Sequence, residues 1–566
     1  MDSSEEQSSP PKTNLVRKRS WLRPQFSLRL LLIAITLVAG FVWVEIERRQ
    51  AAEEAEAIEL LRQLCEAQWH YASDYDRDGN LIVDAPERVP SRFEQWLWPR
   101  FLDPIVTLDL TVRGLGSFAV YGALDREAWE LLSRFRKVRR LTIGADCSQF
   151  DVSDLKNLRH LESLSLDYYD TQTPFPIAAI NQLSSLKELD LAASWFQCYQ
   201  PCDEPCLFRL KKLRLKGPLV DSANVFSDFG DLSRLESLRI SKHTNRTKAK
   251  LSLESMSDLH ALKEMILINQ KIADTSEIYE CATLEKIHLS GVESVVGFLA
   301  NVDRAILPNL KEIHVELARV FDAAGEQEKK IEYLGTFKNF PTLEKIALHD
   351  HGIKKIDALP DLPNLRELVL GCTRLETFDA PLNQIETLIC SAEKIKRLNF
   401  LSSPDCRLRR LSVDCGYTSE PSPNNLLDSL RFAKNLERLD IVRSDIESLD
   451  FLNGCKNLKR ISLQRNGQLV NIDALSDSAD SLESITLTYN RQLLEHGVLE
   501  KEMSQLKELV VYDALTKNKF LDNLHLDLKG DLNRFDHLEV PNRAIIGRKF
   551  EWQDIWNFTN ELNLEN

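Results

Sequence analysis

One pattern of leucines recurs along most of this 566-residue chain. Its clearest copy, LPDLPNLRELVL from Leu359 to Leu370, follows the template LxxLxxLxxLxL, and a second copy runs from Leu155 to Leu166. The closing LxL alternates in the way that is typical of a half-buried strand, and the three-residue spacing before it predicts one helical or 3₁₀ turn. A unit of one strand and one turn cannot bury its apolar face alone, so the copies are expected to stack.

Seventeen LxL cores keep a nearly constant spacing. Successive cores start 20 to 28 residues apart, except for two steps of 33 residues that indicate insertions on the loop side. Leucine-rich repeats have a period of about 20–29 residues. The cores begin at Leu108, Leu141, Leu164, Leu189, Leu213, Leu238, Met265, Ile287, Ile313, Ile346, Leu368, Leu388, Leu411, Leu439, Ile461, Ile485 and Leu509.

Residues 105–540 therefore resemble a leucine-rich-repeat solenoid. The resemblance implies an α/β fold with a curved parallel β-sheet on the concave side and short helices or 3₁₀ turns on the convex side. The family's asparagine, five residues after the start of each LxL, is present at Asn466 and Asn490. Elsewhere other polar residues stand there, among them Gln270 and Ser444. The buried hydrogen-bond ladder along the turns must then come from such residues or from water.

The N-terminus is basic, although the whole chain has a net charge of −14. Residues 1–25 are polar and then basic, and we predict a disordered cytoplasmic tail. Residues 26–46 carry charges only near their ends, at Arg29 and Glu45, which predicts a transmembrane helix that contacts the lipid bilayer. Because basic residues precede this segment, the repeats are expected outside the cytoplasm. A cleaved signal peptide and a buried soluble helix are the alternatives.

The segment FSLRLLL, at residues 26–32, also resembles the start of bacterial membrane-anchored leucine-rich-repeat proteins. That resemblance implies a single-pass protein of the cell inner membrane. It also implies that a short helix and a capping segment precede the repeats.

The segments on either side of the repeats are predicted to cap the solenoid. Residues 47–104 form a membrane-proximal helix, over residues 46–70, and an N-terminal cap, while the aromatic residues within 541–566 seal the C-terminal end. The motif DYDRDG at 74–79 resembles the opening of a calcium loop, but Ala85 stands where the closing carboxylate belongs, so an ordinary acidic turn is favoured. The apolar face of the predicted helix consists of Ile58, Leu61, Cys65 and Trp69.

The chain has eleven cysteines, and three of them, Cys198, Cys202 and Cys206, lie close together. Their spacing lacks the close pairs and the fourth ligand of a zinc site. If the repeats lie in an oxidising compartment, one disulfide among the three cysteines is an alternative to free thiols. Cys281 and Cys390 fall at core positions of the repeat and are predicted to be buried, because free cysteine packs as a small apolar residue.

No catalytic signature is present: the sequence has no GxxxxGK[ST] phosphate loop, no HExxH and no GxSxG. We therefore predict a non-enzymatic protein without a cofactor or metal. His349, Asp350 and His351 are the best local cluster for metal binding or proton transfer. No nucleophile lies near them in the sequence, so a solvated loop is the favoured interpretation.

Function is expected on the concave face, where the residues between and just after the LxL leucines point outward. This outward set, which includes Lys242, His288 and Asp440, contains many charged residues and a few aromatic ones. Tyrosine and arginine often anchor protein interfaces. We predict a membrane-anchored recognition module that binds a protein or peptide partner there, and no nucleic acid, since the basic stripe that phosphates require is missing. The alternatives are a structural scaffold of an envelope assembly and a soluble cytoplasmic adaptor. The candidate partner-binding residues are Tyr168, Arg214, Arg239, His314, His349, Asp350, Arg443, Arg465 and Tyr489.

Overall fold

In a computed structural model of the chain, the described residues form one sheet of 19 strands and a second sheet of three short strands. The structure describes residues 28–71, 105–111, 126–144, 155, 158–168, 180, 183–193, 209–217, 229, 231–242, 251, 253, 256–270, 272, 275–292, 307–316, 337, 340–349, 352–357, 362–371, 375–380, 384–391, 397–398, 406–416, 427–490, 492–493, 505–512 and 537–539.

These residues include helices α1 (Leu28–Leu64) and α2 (Arg126–Leu132). The strands are β1 (Glu66–Tyr71), β2 (Ile105–Thr111), β3 (Arg140–Gly144), β4 (Ser163–Tyr168), β5 (Glu188–Ala193), β6 (Lys212–Lys216), β7 (Ser237–Ser241), β8 (Glu264–Ile268), β9 (Lys286–Ser290), β10 (Glu312–Glu316), β11 (Lys345–His349), β12 (Lys355–Ile356), β13 (Glu367–Gly371), β14 (Thr377–Phe378), β15 (Thr387–Ser391), β16 (Arg397–Leu398), β17 (Arg410–Asp414), β18 (Arg438–Val442), β19 (Arg460–Gln464), β20 (Ser484–Thr488), β21 (Glu508–Tyr512) and β22 (His537–Glu539). Short 3₁₀ helices lie at Met256–Asp258, Thr275–Glu280, Asp428–Phe432, Asp450–Leu452 and Asp473–Ser478.

All seventeen predicted LxL cores are strands of the large sheet, and their first residues share one register. Leu108 pairs with Leu141, Leu141 pairs with Leu164, and the series continues to Leu509, which pairs with Leu538 of β22. Every pairing in this sheet from β2 to β22 is parallel. The predicted parallel solenoid is therefore confirmed.

The alternation inside each strand separates a buried face from a concave face. In β7 the second and fourth residues, Leu238 and Ile240, are buried, whereas the first, third and fifth are half-buried. Successive leucines stack on one another and on apolar turn residues to form one continuous core. Cys281 and Cys390 are buried in it, as predicted. Stacking thus supplies the burial that a single repeat lacks.

A ladder of buried amides links the turns of the C-terminal repeats. The Asn466 side-chain oxygen accepts hydrogen bonds from the backbone N–H of Ser444 at 3.0 Å and from its hydroxyl at 2.8 Å. The Asn466 side-chain nitrogen donates to the carbonyl of Ile441 at 3.1 Å. Asn490 repeats the arrangement one turn later by accepting from the N–H of Asn466 at 3.0 Å. Each asparagine therefore satisfies backbone groups of the turn before it.

Other polar residues extend this pattern where asparagine is replaced. Gln270 is buried and its side-chain nitrogen lies 3.3 Å from the carbonyl of Ile268. Ser444 is also buried and takes part in the ladder through its hydroxyl. Substituted residues thus meet part of the hydrogen-bonding demand, as the sequence predicts.

The C-terminal half of α1 caps the solenoid. It buries Ile58 and Leu61 in the core, two residues of the apolar face that the sequence predicts for this helix. The helix ends at Leu64, however, so the prediction that it continues to residue 70 is wrong. β1 instead pairs antiparallel with β2, where Trp69 lies opposite Leu108. Trp69 favours a strand, and the pairing covers an edge of the sheet that would otherwise expose unpaired backbone groups.

The first half of α1 has a different environment. Its exposed large apolar side chains are Leu32, Ile33, Ile35, Leu37, Val38, Phe41, Val42, Trp43 and Ile46. Among the residues that the structure describes, no helix is both long and apolar enough to cross a membrane. The transmembrane helix at 26–46 and the location of the repeats stay predictions.

Several predicted features lie outside the described residues. They are the tail at 1–25, the acidic turn at 74–79, the cysteines Cys198, Cys202 and Cys206, the loop residues Asp350 and His351, and the C-terminal cap at 541–566.

Replacing Asn466 by alanine tests the amide ladder. The substitution leaves the buried N–H of Ser444 and the carbonyl of Ile441, both in the preceding turn, without these partners, so the free energy of unfolding should fall by about 1–3 kcal/mol. Urea unfolding followed by circular dichroism measures it. Asn457→Ala is the control, because Asn457 is exposed and makes one hydrogen bond, to the carbonyl of Lys434. Equal losses in the two variants would show that the buried ladder has no special role.

Candidate functional site

The common register sorts the concave face into rows that run from strand to strand. The central row holds the middle residue of each LxL core, with neighbours about 4.8 Å apart. Its members are Asp109, Thr142, Ser165, Asp190, Arg214, Arg239, Ile266, His288, His314, Ala347, Val369, Ile389, Ser412, Asp440, Ser462, Thr486 and Val510.

The first part of the central row is charged. Lys216 Nζ lies 3.2 Å from Asp190, and the Arg214 guanidinium lies 4.0 Å from the same carboxylate. Arg239 is the register partner of Arg214, and its Nε atom is buried without a hydrogen-bond partner. The two predicted arginines thus stand side by side, next to one carboxylate.

A stack of three histidines occupies the middle of the concave face. His288 and His314 are register partners on β9 and β10, and their ring centroids lie 3.9 Å apart with an interplanar angle of 17°. The His314 ring also stacks on His349 of β11, with centroids 5.1 Å apart. The Nε2 atom of His288 is buried and makes no hydrogen bond. We call these three residues the histidine stack.

Burial disfavours the charged form of two members of the histidine stack, His288 and His314. Burial lowers the pKa of His288 to about 4, although nearby Glu316 opposes part of that shift. Burial also lowers the pKa of His314 to about 2, with further lowering from His288 and His349. A proton on any ring of the stack would place charge beside the next ring, so each neighbour disfavours it.

Gly371 makes room for the end of the histidine stack. It is the register partner of His349 on β13. A Cβ atom at this position would overlap the Nδ1 atom of His349 and lie 3.2 Å from two ring carbons. The His349 ring therefore occupies the space above Gly371 that a side chain would otherwise fill.

A second group of predicted residues meets at the carboxyl ends of β17 to β20. The Arg443 side chain binds Asp414 through two hydrogen bonds, one of them 2.8 Å long between Nε and Oδ1. The Arg465 guanidinium lies over the ring of Tyr489, 5.3 Å from its centroid. We call Asp414, Arg443, Arg465 and Tyr489 the arginine–tyrosine edge.

The backbone at this edge is unusual. Arg443, Arg465 and Tyr489 each follow directly on a strand and have φ values of 56°, 58° and 58°. The same position holds Gly291 after β9 and Asn269 after β8, two residue types that tolerate a left-handed backbone. The N–H groups of Arg443 and Arg465 each donate to the next repeat at 2.8 Å, to the carbonyls of Gln464 and Thr488.

The remaining predicted positions divide into two groups. Tyr168 ends β4, but its side chain lies outside the described part of the chain, as does all of Asp350. Lys242 and Asp440 are buried, so the prediction that they point into solvent is wrong. The Asp440 carboxylate is covered because it pairs with Arg438 at 2.9 Å.

The sequence names His288 as an outward residue but does not join it to the other histidines. Local spacing groups His349 with Asp350, whereas the structure groups it with His314. Aligning the LxL cores would have placed His288 and His314 side by side, since both are middle residues of a core. Within the described ranges, no cluster of three or more His, Cys, Asp or Glu side chains is placed to hold a metal ion.

No protein-family model and no curated protein matches this chain. Among solved structures, a leucine-rich-repeat protein of Leptospira interrogans is 18% identical, with a TM-score of 0.43 over 76% of this chain and 96% of that one. An internalin of Listeria monocytogenes is 15% identical, with a TM-score of 0.27 over 77% of this chain and 87% of that one. At these scores the fold assignment rests on the repeat geometry of the chain itself.

Replacing Gly371 by alanine tests the packing of the histidine stack. The new Cβ displaces the His349 ring, so the free energy of unfolding should fall by about 1–3 kcal/mol. Adding His349→Ala should recover much of the lost stability. A double-mutant cycle in urea measures the coupling free energy between the two positions.

Gly467→Ala is the matched control for this cycle. A Cβ at Gly467 would meet nothing within 4 Å. Its substitution should change stability little, and a Gly371→Ala variant that behaves in the same way would contradict the packing described here.

Proposed function

We propose that the solenoid is a non-enzymatic recognition module that binds a protein or peptide partner on its concave face. The observation that carries this proposal is the arginine–tyrosine edge. Three consecutive repeats place an arginine, an arginine and a tyrosine at one turn position. Arginine and tyrosine are enriched among the residues that contribute most to protein interfaces.

The backbone conformation supports a role beyond folding for these three side chains. A left-handed conformation costs a residue with a Cβ atom about 1–2 kcal/mol. Glycine or asparagine would meet the same backbone need at lower cost, as Gly291 and Asn269 do. Unfavourable backbone conformations that persist in a structure often mark functional positions.

The contacts within the edge hold its groups in fixed orientations. The bidentate pair with Asp414 fixes the plane of the Arg443 guanidinium. Arg465 and Tyr489 hold each other through the face of the ring. Groups that are ordered before binding lose less conformational entropy when a partner arrives.

We also propose that residues 26–46 anchor the protein in the cell inner membrane, with the repeats outside the cytoplasm. Support comes from the sequence pattern of this segment and from the exposure of its apolar side chains. From Leu32 to Ile46, nine large apolar residues are exposed on α1. A bilayer would bury them, and the basic residues before the segment favour a cytoplasmic N-terminus.

The scaffold alternative has less support. Lateral assembly through the solenoid calls for apolar patches on its surface. Among the side chains that the structure describes, the exposed large apolar residues all lie between Leu32 and Ile46.

Combined replacement of Arg443, Arg465 and Tyr489 by alanine tests recognition. Wild-type and variant proteins are immobilised and exposed to envelope and soluble extracts, and retained proteins are quantified by mass spectrometry. A partner retained by the wild type should bind the variant about tenfold or more weakly, because interface anchors each contribute more than about 1 kcal/mol.

The control for this experiment replaces three exposed basic residues away from the edge, Arg407, Arg431 and Lys456, by alanine. It should retain the partner at the wild-type level. Equal retention by all three proteins would contradict a role for the edge, and thermal melts confirm that each variant is folded.

Deletion of residues 26–46 tests the anchor. The full-length chain should sediment with membranes and resist carbonate extraction, while the deletion variant should stay in the supernatant. Reporter fusions after residues 25 and 560 should be active inside and outside the cytoplasm, respectively. A full-length chain in the supernatant would refute anchoring, and a C-terminal reporter active inside would refute the orientation.

A further inference from the structure

We infer that the middle of the concave face binds an extended, uncharged segment of the partner through apolar and aromatic side chains. This inference rests on the proposed recognition function and names the surface and the chemistry of its occupant. The surface, called here the uncharged strip, consists of seven successive members of the central row: Ile266, His288, His314, Ala347, Val369, Ile389 and Ser412.

The uncharged strip has one charged residue directly next to it in the row at each end. Arg239 precedes it and Asp440 follows it. Within the strip, the side chains that could carry charge are those of His288 and His314, and burial keeps both neutral. Six of the seven residues are half-buried, so their side chains remain within reach of a ligand, and Ala347 is buried.

Several charged residues that border the strip are engaged with neighbouring groups, whereas the Nε atoms of Arg239 and Arg410, at its two ends, have no hydrogen-bond partner. On the side where the strands begin, Lys286 pairs with Glu312 at 3.0 Å and Lys345 pairs with Glu367 at 3.1 Å. On the other side, the Ser290 hydroxyl donates to Glu316 at 2.6 Å.

Gly371 and Ser391 continue that second border without charge, and the His349 ring covers Gly371. The strip itself offers no counter-charge, so a charged ligand group placed at its centre would lose water without forming an ion pair within the row. An apolar or aromatic group would bury apolar surface against the strip and against the neutral imidazole rings of His288 and His314.

The length of the strip sets the length of its occupant. Seven strands enclose six spacings of about 4.8 Å, which gives about 29 Å. An extended chain advances about 3.3 Å per residue, so about nine residues cover the strip. We therefore expect a nine-residue extended segment that is poor in charged residues.

The probe for this inference is a phage-displayed library of random nonapeptides, selected against the full-length protein. Selected peptides should be enriched in aliphatic and aromatic residues and depleted in Asp, Glu, Lys and Arg. Their affinities, measured by isothermal titration calorimetry, should fall at least tenfold in both Val369→Asp and Val369→Lys. Loss with either sign of charge distinguishes an uncharged occupant from one that is attracted by charge.

Thr486→Asp is the matched control, because Thr486 is a half-buried residue of the same row outside the strip. It should change affinity less than threefold. Val369→Thr keeps the side-chain shape and should weaken binding several-fold, which maintains the test if the charged variants do not fold.

Peptides rich in charge, or binding that is insensitive to the Val369 variants, would overturn the inference. If such peptides depend instead on Arg443, Arg465 and Tyr489, recognition on the concave face stands and only the uncharged strip fails. If no peptide is enriched over a library passed across uncoated support, the strip inference fails, and the recognition function is then judged by the partner-capture experiment alone.

Discussion

The parallel register of the strands is the constraint on which the rest of this structure depends. Because each LxL core pairs residue for residue with the next, a position within the repeat becomes a row along the solenoid. Side chains in one row stand about 4.8 Å apart, so each must be compatible with the same row in the repeats before and after it. The concave face is therefore built from rows, and a group of contacting residues draws one member from each of several repeats.

The row just before the strands shows how charge adapts to this constraint. Its members alternate in sign for most of their length, and ion pairs join neighbouring repeats, as between Lys311 and Glu285 at 2.7 Å and between Lys459 and Glu437 at 3.0 Å. The lysines lower the pKa of both glutamates through these hydrogen bonds. Like charges in adjacent repeats would repel, so the alternation allows a highly charged chain to stack.

Position in the repeat also explains what the sequence can and cannot predict. Every LxL start is predictable, because alternating apolar residues determine which face of a strand is buried. The histidine stack is not found by local reading, because His314 and His349 come from different repeats. Their rings meet diagonally across the pair of strands, since the register partner of His314 is Ala347. β1 is missed for a related reason: its residues have helical spacing, and pairing with β2 overrides that local preference.

The uncharged strip and the arginine–tyrosine edge meet on one strand. Ser412 ends the strip on β17, and Asp414, two residues later on the same strand, begins the edge. A ligand that extends along the central row from β8 thus passes from a neutral surface to the edge that contains Arg443 and Arg465. Apolar contacts can supply much of the affinity over the strip, while directional hydrogen bonds to guanidinium groups at its end can fix the register of the ligand. Because the uncharged strip comes before the arginine–tyrosine edge along the solenoid, the two ends of a bound segment would meet different surfaces, and this difference would orient the segment.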